Sequence, residues 1–383
     1  MTDFTGMRRL FMIPEGVAYL NTGTAGPCPA SVFDIVVAWQ RQLEGNPAAE
    51  YGRLHGETTG PAKAKLAGFV GTNPANLAFV TNVTHGMNAL ASGICGLQPG
   101  DEILSAADIE YGAVNNAWDC AAGRRGLTIR RIALPQELPN HDPIVQAFER
   151  AISQQTRVMY FSHVTFTALV MPVARLCRLA RERGILTVVD GAHAPGLVPV
   201  ALDALGCDYY VANCHKWLCA PKGTGFLYAA PAAQARLAAL VPGWGWKQGQ
   251  ETFLGNFEHP GIYNPAPFIG VGAAVDFMNG LGFDNIMAHG RNLAGYGRSV
   301  LSQLPGVRPL TPAGADFCCS MVRYALPPLA DPSRLQQALD RRNIVVPAGV
   351  TPAGGHLRVS THLYNTAAEI DLLAQALAEA YGR

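Results

Sequence analysis

The chain has 383 residues, 49% of them apolar, enough to bury the core of a large domain with a smaller one beside it. Lys plus Arg total 29 against 28 Asp plus Glu, so no long-range field draws the chain to nucleic acid or to an anionic membrane, and any anion must be bound locally. The nine cysteines form no C-x-x-C pair and no His/Cys metal spacing, and read as reduced, mostly buried thiols. The opening MTDFTGMRRLFMIPEG lacks an apolar signal stretch and no apolar run reaches about 18 residues, so a cytoplasmic protein with no membrane partner is expected.

From Pro61 to Tyr228, short β-branched runs alternate with helical stretches, the pattern of βαβ units feeding a mostly parallel sheet. The strands expected are LAFV (77–80), EILSA (102–106), LTIRRI (127–132), RVMYFS (157–162), ILTVVD (185–190), DYYVAN (208–213) and GFLYA (225–229). Helices are expected to begin near His85, Ala113, Pro143 and Pro172, the prolines suiting a first helical turn. The stretch VPGWGWKQGQETFLGNFEHPGIYNPAP is too irregular for regular elements and reads as a functional loop. After it come a helix-rich segment, a strand in CCSMVRYAL, a helix after Asp331, strands in NIVVP and HLRVS, and an amphipathic helix from Thr366. The fold class is α/β: a large domain over 15–257, and a smaller α+β domain over 258–383 joined by segment 1–14.

Open α/β sheets bind ligands at the carboxyl ends of their strands, so the residues after each strand carry the chemical argument. Asp190 ends an apolar strand, where a carboxylate needs a partner; a protonated pyridine nitrogen is one, and capping the next turn is another. Lys216 follows the next strand between His215 and Trp217, where burial can lower its pKa and make the amine nucleophilic; taken alone, it reads first as a solvated surface lysine. Thr84, His85 and Gly86 stand where a strand turns into a helix, either a phosphate seat or an ordinary Thr N-cap. Together the anion seat, the carboxylate and the amine match what a phosphorylated pyridine aldehyde requires.

The segments DGAHAPG (190–196) and ANCHKWLCAPKGTGFLY (212–228) resemble the class V aminotransferase superfamily, within its isopenicillin N epimerase-like branch. The resemblance extends over YLNTGTAGPCP, TNVTHGMN, EYGAVNNAW, SHVTF and LRVSTHLYNTAAEID, nearly the whole chain. It implies a pyridoxal 5′-phosphate (PLP) enzyme of fold type I, with Lys216 carrying the cofactor as a Schiff base and Asp190 pairing with the pyridinium nitrogen. By the same resemblance His193 sits beside the ring and its phenolic oxygen as a catalytic residue, Thr84, His85 and His215 bind the phosphate, Tyr111 stacks on the pyridine, Thr165 contacts the cofactor, and Arg358 clamps the substrate carboxylate. Each has a plain alternative: a structural histidine for His193, a packing aromatic for Tyr111, a surface ion pair for Arg358. Two motifs depart from the family. HVTFTALVMP is one residue shorter than the family's turn and carries Phe166 in its polar stretch, and Ile262 stands where the family's G-T-R-D-P loop offers a hydroxyl to a neighbouring subunit's phosphate.

The expected reaction begins with loss of a group from the α-carbon of an amino acid, with Lys216 as base. β-Elimination on a cysteine conjugate, a C–S lyase reaction, ranks first with epimerisation just behind it, transamination is the alternative, and a PLP-binding scaffold without turnover is the alternative of another class. Desulfuration needs a nucleophilic Cys before the carboxylate-binding Arg, and none lies between Tyr324 and Arg358, while Cys318 and Cys319 read as buried. Trp244, Trp246, Phe253 and Phe257 offer an aromatic substrate mouth, or packing. A homodimer is expected, since the resembling enzymes complete each site from two chains.

Overall fold

The computed structural model describes residues 4, 6–243, 246–249, 251–258 and 261–382. Seven strands form the central sheet, in the spatial order Leu77–Val80, Gly225–Ala229, Tyr209–Asn213, Leu186–Asp190, Thr156–Ser162, Glu102–Ala106 and Thr128–Ile132. Six run in one direction, and Gly225–Ala229 opposes both of its neighbours. Leu186–Asp190 and Tyr209–Asn213 are buried at every position, as a sheet covered on both faces demands. Thr128–Ile132 closes one edge, where exposed Arg130 and Arg131 discourage pairing with another chain.

Alternate residues of a strand enter opposite cores: Met159 and Phe161 join one cluster, Val158 and Tyr160 the other. The flanking helices include Val83–Gly93, Gly112–Arg125, Asp142–Ala151 and Val173–Glu182. Pro143 lies in the first turn of its helix, whereas Pro172 stands just outside as the capping residue. The helices Ala30–Gly45, Pro47–Arg53 and Thr59–Phe69 were not legible in the sequence. The first buries only Val32 and Leu43, and the last is interrupted by Gly60, Pro61 and Gly68, so neither writes a clean apolar stripe.

A second, antiparallel sheet has the order Ala348–Thr351, Gly354–Ser360, Met321–Leu326 and Arg308–Pro309, with helices Ser333–Asp340 and Ala367–Ala380 packed on it. The closing helix starts on a capping box: Thr366 and Glu369 exchange side chain to backbone hydrogen bonds. Two segments cross the expected domain limits. Ala18–Tyr19 pairs in parallel with Ile344–Val345, and Ala18 and Leu20 lie in the core of the smaller sheet. Helix Ala266–Leu281, beyond 257, is apolar on most of its faces and buries Phe268, Val271 and Ala274 in the core of the large sheet. Within the irregular stretch, Thr252 caps a short helix, Phe253–Phe257, and both phenylalanines are buried in the large unit. Trp244 lies outside the described residues, and Trp246 is partly exposed. Among the described residues no single helix is long and apolar enough to cross a membrane.

Candidate active site

The carboxyl edge of the large sheet builds the site. Ser162 pairs with Asp190, and Asp190 with Val211, so the ends of three adjacent strands lie side by side. Asp190 is buried; its Oδ1 accepts from Ala192 N at 2.8 Å, while its other oxygen takes no hydrogen bond among the described residues. Burial raises its pKa, opposed by the Ala192 N–H and by the charge of Lys216.

Lys216 sits in the turn after Tyr209–Asn213. Cys219 N donates to Lys216 O at 3.2 Å, and Ala220 N to Cys214 O at 3.1 Å, closing a tight loop in which Cys219 has a φ of 55°. Two glycines let other backbone reach this turn. A Cβ on Gly26 would lie 1.8 Å from Lys216 O, and one on Gly196 would lie 2.3 Å from Trp217 C. The Lys216 amine stands 3.2 Å from His193 Nε2 and has no ion pair among the described residues. Burial pulls its pKa down to about 8, Asp190 opposing and Arg358 assisting.

Both residues line a cavity of about 500 Å³ that also takes in Thr84, Tyr111, His215 and Arg358. Seven of the nine residues singled out from the sequence meet there; Thr165 and His85 do not. Thr165 is fully buried, and its hydroxyl is spent on Leu169 N at 3.0 Å and Thr167 Oγ1 at 2.8 Å. That is how the shortened turn closes, with Ala168 at a φ of 69°. Phe166 faces the cavity instead, its ring 6.4 Å from that of Tyr111, and these two, rather than Phe253 and Phe257, are the aromatics at the mouth.

The helix start at Val83 is capped by Asn82, not Thr84: Asn82 Oδ1 accepts from His85 N at 2.9 Å, and Asn213 Oδ1 takes Val83 N at 2.9 Å. Among the described residues Thr84 has no hydrogen-bond partner for its N–H or its hydroxyl in the cavity, while His85 has its N–H consumed and its ring outside the lining. His215 Nδ1 donates to Thr224 O at 2.8 Å, leaving Nε2 as the nitrogen free for another partner. Lys222, a lining residue the sequence did not single out, donates to Gly26 O.

Arg358 donates from Nη1 to Phe166 O and from Nη2 to Thr24 Oγ1, both at 3.1 Å. Its Nε is buried without a hydrogen bond, and no carboxylate pairs with it among the described residues. A guanidinium so placed is a receptor for an anion brought from outside. Glu110, also missed, is buried and accepts from Ser162 N at 3.1 Å and Ser162 Oγ at 2.5 Å. Burial drives its pKa up to about 8, with Asp190 adding to the rise, so it holds a proton at neutral pH. Its sequence signal was faint, a carboxylate beside Tyr111 with another, Asp108, two residues before it. Cys318 is exposed, contrary to expectation, because it ends a 3-10 turn ahead of the strand; no cysteine lines the cavity among the described residues.

A lysine amine with lowered proton affinity, a buried carboxylate with an open oxygen, a helix start with a free N–H and an unpaired arginine are the donor set that PLP and an amino acid require. The family model for class V aminotransferases matches residues 18–373. Isopenicillin N epimerase of Amycolatopsis lactamdurans is 39% identical, covering 99% of this chain and 98% of that protein. The Streptomyces clavuligerus isopenicillin N epimerase is 36% identical, with 98% of each chain covered. The apo structure of cysteine desulfurase from Thermococcus onnurineus NA1 matches the fold with a TM-score of 0.86 at 21% identity, covering 98% of both chains. With a family match over nearly its full length and whole-chain relatives above one-third identity, the chain belongs to the class V aminotransferase family of PLP-dependent enzymes.

Proposed function

We propose that this enzyme removes the α-proton of an amino acid whose carboxylate rests on Arg358, with Lys216 as the base that takes it, and that a solvent-derived proton added on the opposite face inverts the α-carbon. The carrying observation is the Lys216 amine, brought to a pKa of about 8 by burial, in one cavity with an arginine that has no acid partner. PLP, when bound, supplies a conjugated ring that accepts the electron pair left behind. Asp190 offers its open oxygen to the ring nitrogen, and Thr84 and His215 hold the phosphate at the start of Val83–Gly93. Inversion ranks first because both whole-chain relatives above are epimerases.

Elimination of a β-substituent, such as the thiol of a cysteine conjugate, is the second reading. It needs one base, and Lys216 is the lining residue whose proton affinity is set near 8. Desulfuration lacks its cysteine in the cavity among the described residues. The reading includes a homodimer: Ile262, at the loop expected to meet a second subunit, is 90% exposed beside an apolar groove that includes Leu43 and Pro47.

The test is product analysis in deuterated water with a panel of amino acids and S-substituted cysteines. Solvent deuterium at an inverted α-carbon supports the first reading, and pyruvate with free thiol moves the assignment to the second. An oxo acid formed with a demand for a second amino acceptor points to transamination. No exchange with any amino acid by PLP-loaded protein overturns the proposal in favour of a binding scaffold.

A further inference from the structure

Trp217 follows Lys216 and is buried, 1% exposed. Its carbonyl accepts from His362 Nε2 at 3.0 Å, and its own Nε1 lies 3.2 Å from His193 Nδ1. An indole N–H can only donate, so His193 Nδ1 must present a lone pair. A neutral imidazole carries one hydrogen, which is thereby placed on Nε2, the nitrogen that faces the Lys216 amine at 3.2 Å.

We propose that Trp217 is a positioning residue that locks His193 as its Nε2–H tautomer, so that His193 faces the cavity as a fixed hydrogen-bond donor and not as a base. The inference rests on the reading of Lys216 as the base, since it removes the other candidate. An Nε2–H can bond to Lys216 only when that amine is neutral with a free lone pair; once the amine is engaged elsewhere, the same donor serves an anionic oxygen in the cavity. Protonating His193 would put an Nδ1–H head-on against the indole N–H. The charges that face it, Lys216 and Arg358, oppose the imidazolium as well, and Asp190, the carboxylate three residues earlier, has Oδ1 engaged by Ala192 N. Burial acts in the same direction, so His193 holds one proton throughout the range in which a free histidine, pKa about 6.5, changes charge.

The direct measurement is nitrogen-detected NMR of the PLP-loaded enzyme with labelled histidine, the His193 signal assigned by its loss in H193Q. A single Nε2–H tautomer with no titration is expected, and an Nδ1–H tautomer or a cation at neutral pH overturns the proposal. Two variants remove the indole N–H: W217F, and replacement of Trp217 by benzothienylalanine, which keeps the ring shape should W217F fail to fold. Either is expected to release His193 to titrate, to add an acid limb to the pH profile of kcat, and to lower kcat by about tenfold, the rate equivalent of one neutral hydrogen bond. An unchanged tautomer and pH profile in the folded isostere would also overturn it. Glutamine has an N–H donor but cannot act as a base, so H193Q should retain α-proton exchange within about tenfold while H193L loses it; abolition in H193Q makes His193 the base instead. The tautomer is measured without substrate, so a failed search for α-proton exchange would sink the functional reading and leave this assignment standing.

Discussion

Replacing Arg358 with Leu should pull binding and folding in opposite directions. The guanidinium is held by only two neutral acceptors, Phe166 O and Thr24 Oγ1, with Nε buried and unpaired. When a substrate carboxylate completes this group, loss of the arginine removes one partner of a hydrogen-bonded charge pair, which costs about 2–5 kcal/mol. At about 1.4 kcal/mol per factor of ten, kcat/KM for an α-amino acid falls by roughly 30- to 4,000-fold. In the absence of substrate the same cation is a partly desolvated charge with an unsatisfied donor, a penalty of about 1 kcal/mol or more that Leu does not carry. In a chain this long that corresponds to a melting temperature higher by roughly 1–2 °C. The assay is steady-state kinetics with an amino acid and its amide, beside thermal melts of both proteins. Wild type should discriminate against the amide and R358L should not. If R358L keeps kcat/KM within about threefold, or wild type handles the amide as well as the acid, Arg358 is not the carboxylate clamp. A melting temperature several degrees lower would refute the desolvation argument.

Lys216 gives a pH-dependent counterpart. Its pKa in the fold, about 8, is below the ordinary 10.5, so between these values the unfolded chain binds the proton and the native protein does not, and stability rises with pH across that window. Below about 8 the buried ammonium costs the fold on the order of 3 kcal/mol, and K216M, which has no charge, should be more stable than wild type by up to that amount at pH 7. Denaturant titrations from pH 7 to 10.5 should show the difference closing; a constant gap would mean that the amine is not desolvated. G26A drives a Cβ into Lys216 O and should cost about 1–3 kcal/mol of stability by overpacking. Because the displaced backbone is that of Lys216, PLP affinity and turnover should fall further than in G45A, where a Cβ meets open space, and equal behaviour of the two variants would contradict this packing.

How much of this was legible followed the strength of each local signal. The strands of the large sheet were readable because a sheet covered on both faces needs largely apolar runs, and LAFV, EILSA and the antiparallel GFLYA match their strands residue for residue. The segment 30–69 was not readable: its helices are half solvent-facing and punctuated by glycine and proline, and they are fixed by packing against Ala266–Leu281, a partner about 200 residues away that no local pattern announces. The same holds for a two-residue strand such as Ala18–Tyr19, which takes its place from Ile344–Val345 rather than from its own sequence.

The site divides along a similar line. Lys216, Asp190 and Arg358, which the fold brings into one cavity, stood out in the sequence because their types and positions suit the chemistry proposed, and motifs flanking them are distinctive. Thr165 misled because a threonine in a polar turn has two uses, and the shortened turn needed the structural one: its hydroxyl closes Leu169 N. Glu110 and Trp217 sit one layer behind, against Ser162 and His193, and Asn82 lines the cavity while it holds His85 N. Their sequence signatures are faint at best, because each acts through hydrogen bonds at distances only the fold sets. Yet that outer layer assigns the roles. A histidine in D-G-A-H can be acid, base or fixed donor, and the choice is made by whichever group meets Nδ1. Here it is an indole N–H, which cannot accept, so on the proposed reading the proton lies toward Lys216 and the work of moving the α-proton falls to the lysine.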